Sequence, residues 1–403
     1  MTRKHDTMNP SASGWISKFG HLVDKETEIF SDFESLYQEL KRNGFVYGVH
    51  LDIPPFIEVE HTLSEDEIAK INLLTALYFT FQFEKKNADF TDFVNTIFEY
   101  YKALEVGQIS ILNKILSGSK TESQLEKLID SRIYLGGNAF NRAFGNSLTN
   151  SLLYVDVLIF RIYLHGKIPM MAHAQLLEYV TINIAYHALN SKETHETDAK
   201  LLQLLASSLT YVNLDEAKFD GSYRDLFSQN FTQIEKNYFL DMACLTIWED
   251  KSLDYTESDY IFGLGKDLGK SEKEVQSELN FVKNFFENNK DKIAYLNDKN
   301  LAVQFYDGMS KNVSKLILRN SKRLKKELLE SRELLALLSK STVKDLSAEE
   351  KKKVQNQLLD ICKSIPSLAI FMLPGGALLL PIFIKLIPKL LPSAFDDNRI
   401  EEN

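Results

Sequence analysis

Residues 64–83 read SEDEIAKINLLTALYFTFQF, and the whole fold class can be worked outward from them. Ser64 followed by Glu67 is a capping-box start, and the apolar run behind it continues without a glycine or proline through Phe83. That is one long, largely buried helix. Upstream, Ile29, Phe33, Leu36, Tyr37 and Leu40 share one helical face, which Asn43-Gly44 closes. Phe45 to Ile53 alternates loosely before Pro54-Pro55 and predicts a short strand or hairpin. Downstream, helical patterns recur to Asn289, broken near Ser117–Ser119, Gly136–Gly137, Gly166 and Asn190–Thr197. No strand–helix alternation and no repeat of fixed period appears. The expectation is all-α: a helical bundle or array, then a long basic amphipathic helix and a proline-kinked membrane helix. Its parts are an N-terminal segment (1–60), a helical body (61–230), a further helical module (231–300) and a basic neck with a membrane segment at 365–392 (301–403).

Composition excludes several classes. The chain is 44% hydrophobic and 26% charged, too apolar for disorder over most of its length. Two cysteines, Cys244 and Cys362, rule out a disulfide scaffold and a cysteine-based zinc site. Residues 1–307 carry 30 Lys and Arg against 45 Asp and Glu, whereas the remainder carries 17 against 11. An acidic body is thus joined to a basic end. Met1 to Phe19 holds no apolar core of a secretory signal, so the body is expected to stay where it is made. Leu152 to Leu164 is strongly apolar but short and contains Asp156 and Arg161, which predicts a buried core helix.

Catalytic motifs fail on spacing. Gly263, Gly265 and Gly269 before Lys270-Ser271 lack the four-residue interval of a phosphate loop, so they are expected to loosen or end a helix. The histidines show no metal-ligand spacing, and no nucleophile elbow is present. A non-enzymatic protein without cofactor is expected. In Tyr238 to Phe286, Leu240, Ala243, Cys244, Ile247 and Trp248 form one stripe, followed by an acidic turn. Asp250, Asp254 and Glu257 are the candidate divalent-ion ligands there. An EF-hand is excluded, because its sixth loop position would be Tyr255. The plainer reading is a solvated turn in which Thr256 caps the next helix. The segment resembles the TerB-like helical module of tellurite resistance, which has a small-residue helix, an acidic turn and a Leu-Gly ending.

From Met309 to Lys340, Val313, Ile317, Leu324, Leu328, Leu335 and Leu338 predict one amphipathic helix of roughly 48 Å. Lys311, Lys315, Arg319, Lys322, Arg323, Lys325 and Lys326 follow without an intervening acid. Such a run can contact RNA phosphates or anionic lipid, or be a solvated face. Ile365 to Ile384 is uncharged and about 30 Å long as a helix, enough to cross a bilayer with the body on the cytoplasmic side. The alternative is a hairpin that turns at Pro374-Gly375-Gly376 and never crosses. Pro374, Pro381 and Pro388 recur every seven residues and would free the carbonyls of Ile370, Ala377 and Ile384 on one face, a site for self-association.

Leu346-Ser347-Ala348-Glu349-Glu350-Lys351, Pro366, the register Pro374, Gly375, Gly376, Pro381, Lys385, Pro388, and the ending Leu391-Pro392-Ser393-Ala394-Phe395 resemble the LETM family. These are the leucine zipper and EF-hand transmembrane proteins. The remainder is similar to bacterial LETM-related, biofilm-associated proteins. The resemblance implies cation/proton homeostasis and ribosome binding at a membrane; the other expected partners, lipid and a second copy, come from the apolar segment with its basic neck and from the proline face. Where the family has an acidic residue between the first two prolines, this chain has Ala377. The family's ribosome-binding domain is expected beyond the membrane segment, where eight residues follow Phe395, so ribosome contact is expected to fall to the basic neck. The other reading is an envelope-associated scaffold that recruits partners through the acidic body, with the tail only as anchor.

Overall fold

The structure, a computed structural model, describes residues 7–24, 29–86, 88–104, 120–133, 153–166, 169–191, 199–209, 221–248 and 255–293. Of the C-terminal part it describes 309–310, 313–314, 316–341, 344, 346–365, 368, 371 and 379–392. Among these residues every regular element is helical. Phe45 to Ile53 forms no strand. Phe45, Val46 and Tyr47 are all buried instead of alternating, and Gly44, at φ 82°, lets the amides of Gly44 and Phe45 cap the carbonyls of Lys41 and Leu40.

The N-terminal helices are α1 (Trp15–Val23), α2 (Phe33–Arg42), α3 (Glu65–Glu84), α4 (Phe90–Ala103) and α5 (Glu122–Ile133). The Ser64–Glu67 capping box opens α3 as its sequence requires, and α3 is buried from Ile71 to Phe81 on all sides. It packs against α2, α5 and α6 (Leu153–His165). Next come α7 (Met170–Asn190) and α8 (Ala199–Leu209), then a 3-10 turn at Ser222–Leu226 with the single-turn α9 (Phe227–Asn230). The central layer is closed by α10 (Gln233–Ile247), which packs on α7, on α11 (Tyr255–Asp267) and on α12 (Glu272–Asn289).

The expected core helix at Leu152 to Leu164 is α6, and its two charges are satisfied inside. Asp156 is fully buried and receives Arg132 at 2.5 and 2.9 Å and the Tyr101 hydroxyl at 2.9 Å. A second knot ties α2 to α10 and α12. Lys41 lies 3.0 Å from Asp241 and also pairs with Glu278, while Tyr37 and Tyr47 donate to Asp241 at 2.5 and 2.8 Å. Burial opposes the Lys41 ammonium, but the two carboxylates outweigh it and hold its pKa above the ordinary lysine value. Burial, then Asp241, raises Glu278.

The glycine-rich stretch ends a helix, as expected. Gly269, at φ 76°, follows α11, and the Lys270 amide returns to the Gly265 carbonyl at 2.8 Å. A Cβ on Gly265 would stand 2.2 Å from Val275, so glycine there lets α11 and α12 close on each other. Helix α11 begins at Tyr255, and the Thr256 side chain, the expected cap, lies outside the described residues. Leu240, Ala243, Cys244 and Ile247 are buried, but so are Tyr238, Phe239, Asp241 and Met242. The stripe is one side of a helix enclosed all round.

Candidate functional site: the C-terminal basic unit

The single neck helix is a series of shorter pieces. Residues 316–319 are helical, followed by α13 (Ser321–Glu330) and α14 (Arg332–Ser341). The six apolar positions that predicted it are all buried, so the periodicity was right and the continuity was not. Ser331 makes the break: at φ −118° and ψ 86° its backbone leaves the helix, and its hydroxyl accepts the Leu334 amide and donates to Gln357. A cap and a partner across the turn outweigh one further helical residue.

Ser347 opens α15 (Ala348–Ser364) with a capping box in which Glu350 answers its amide. The serine and glutamate of the Leu346-to-Lys351 motif are therefore a helix start. Glu333 of α14 takes Lys353 at 2.9 Å and Gln357 at 3.0 Å, and Glu350 takes Lys340 at 2.5 Å. Hydrogen bonds from Lys353 and Gln357 lower Glu333, and the Lys340 hydrogen bond lowers Glu350. Beneath them Leu334, Leu335 and Leu338 are buried, as are Val354, Leu358 and Ile361 of α15. Their burial, not the exposed ion pairs, stabilises the hairpin.

The expected membrane helix is not continuous. Ile365 is extended, at φ −113° and ψ 105°, and the next helix, α16, spans Leu380–Leu390. The rings of Phe371 and Phe383 lie 4.3 Å apart, whereas twelve helical residues would separate them by about 18 Å. The two rings are therefore not twelve positions apart on one straight helix, and the hairpin turn expected at Pro374-Gly375-Gly376 lies outside the described residues. No helix among the described residues is long and apolar enough to cross a membrane. Helix α16 packs on α14 and on α8 of the body, burying Ile382, Phe383, Ile384 and Ile387 while Lys385 and Lys389 face out.

The proline register is only partly placed. Pro366, Pro374, Gly375, Gly376 and Ala377 lie outside the described residues, as do Lys311, Lys315, Asp250 and Asp254 and the Glu257 side chain. Pro381 sits in the first turn of α16, where no carbonyl bond is lost. Only Pro388 stands inside that helix, where, having no N–H, it cannot give the Ile384 carbonyl its helical hydrogen bond. Pro392 is exposed just beyond it. What the sequence did not signal is how few cations the unit neutralises. Arg319, Lys322, Arg323, Lys326, Lys344, Lys351, Lys352 and Lys389 have no acidic partner among the described residues.

Residues 346–403 match the family model described as LETM1-like, RBD, the ribosome-binding domain of that family. The match supports the LETM resemblance and covers 58 of the 403 residues. It also corrects the expected order: the match to the family's ribosome-binding domain lies over the proline-laced segment itself instead of following it. No curated protein matches, and no solved structure matches.

Proposed function

We infer that this chain is a LETM-like protein that docks on ribosomes through α15, α16 and the α14 strut that holds them. The observation that carries this is a coincidence of place. The ribosome-binding match falls on a folded helical unit whose Lys351, Lys352 and Lys389 have no acidic partner among the described residues, with Lys344 just outside it. Cations held on a rigid scaffold and not neutralised by the protein are what a phosphate backbone recruits. The unit needs no catalytic group for this.

Sedimentation of the full chain with ribosomes is the test. Binding is expected at low salt and should fall steeply as salt rises. The triple variant K344E/K351E/K352E should lose at least tenfold in affinity while its helical content is kept. Salt-indifferent binding, or a triple variant that binds like the parent, would sink the reading.

A further inference from the structure

Helix α13 and the turn before it bury one side and leave the other bare. Val313, Ile317, Leu324 and Leu328 are all buried, and their phase runs unbroken past the kink at Asn320. At 100° per residue, Leu318, Arg319, Lys322, Lys326 and Leu329 then fall together on the opposite side. Each of them is exposed, as is Arg323 at the edge of that side, and the four cations Arg319, Lys322, Arg323 and Lys326 have no acidic partner among the described residues. Leu318 is 54% exposed and Leu329 39%, the two exposed large hydrophobic side chains among the described residues. In an acidic chain of net charge −9, the bare leucines among the described residues thus lie beside cations without an acidic partner there. The acids Glu327 and Glu330 sit at the C-terminal flank.

We propose that this face of α13 lies on an anionic lipid surface, with Leu318 and Leu329 inserted between headgroups and Arg319, Lys322, Arg323 and Lys326 paired with lipid phosphates. Leucines bracketing cations along one helix side fit the interface of a bilayer, where long basic side chains reach up to the headgroups while apolar ones enter the acyl boundary. RNA fits less well. A leucine gains nothing from a phosphate backbone, and no aromatic residue stands between Tyr306 and Phe371 to stack on a base. The face is separate from the α15 and α16 cations, and the proposal does not rest on the ribosome reading.

The test is flotation of the full chain with vesicles of phosphatidylcholine alone and of phosphatidylcholine with one third phosphatidylglycerol, beside sedimentation with ribosomes. The parent should bind the anionic vesicles, with little on the neutral ones and a marked loss at high salt. K322E/R323E/K326E should cut vesicle binding at least tenfold, and L318S/L329S several-fold with every charge kept. All five positions are exposed, so unchanged circular dichroism is expected of both variants. Equal binding to neutral vesicles, or no binding to either, overturns the proposal. So does an L318S/L329S chain that floats like the parent. Loss of ribosome binding in K322E/R323E/K326E, with no vesicle binding by the parent, would make the face a ribosome contact instead. Ribosome binding abolished only by K344E/K351E/K352E tests the other reading separately.

Discussion

His50 shows how a single buried group sets a pH dependence. It lies in the turn after α2, buried beside the Phe45 ring at 5.7 Å, and neither ring nitrogen has a partner among the described residues. Burial alone lowers its pKa from 6.5 to about 4. The folded chain therefore keeps His50 neutral where the unfolded chain has already bound a proton. Stability should be fully present above pH 6.5 and lost as pH falls toward 4, by about 3 kcal/mol at most. His50→Leu removes two unsatisfied polar atoms as well as the titration. It should unfold in urea at pH 7 no more easily than the parent, and show a flatter decline between pH 6.5 and 4. A variant with the parent's slope would assign that slope elsewhere. The sequence placed no weight on His50, because burial of a lone histidine depends on what folds over it.

At the scale of the element, starts and stops were legible and long-range partners were not. Ser64 and Glu67, or Gly44 after α2, act within a few residues of themselves, so their chemistry can be read locally. Ser331 breaks its helix because Gln357 stands across from it, and Phe371 meets the ring of Phe383, twelve residues on, which no local pattern announces. Lys41 finds its carboxylates on α10 and α12, some 200 residues on. Periodicity therefore gave the buried face of the neck correctly and its continuity wrongly. The two prolines of α16 separate by the same logic. Pro388 costs an internal hydrogen bond, so Pro388→Ala should raise stability by roughly 1 kcal/mol or more. Pro381 stands where the helix begins, and Pro381→Ala should change it by less than about 0.5 kcal/mol. Urea midpoints of the two variants measure the difference, and equal effects would mean that both prolines lie in equivalent places.

For the whole molecule, the question is whether the tail hangs from the body or belongs to it. A pure anchor would leave the acidic body unchanged when removed. Here α16 packs on α8, whose Leu204 and Leu205 are buried, and the side chains of Ile382, Phe383, Ile384 and Ile387 are buried with them. Each such side chain contributes about 1.5–3 kcal/mol of gross burial energy, against the entropy of ordering one short helix. Part of the core that holds the tail is thus also part of the body's surface, and cutting it exposes both sides. Truncation after Ser364 should lower the thermal midpoint of what remains by several degrees and increase binding of a hydrophobic dye, since α8 and α14 would each lose an apolar neighbour. A truncated chain that melts with the parent and binds no more dye would show that α16 is not part of the folded core. That outcome would return the tail to the role of a detachable anchor. The predicted drop, by contrast, ties the ribosome-binding match to the body through one shared apolar seam, so that whatever the tail docks on is held at a fixed orientation to the acidic helices.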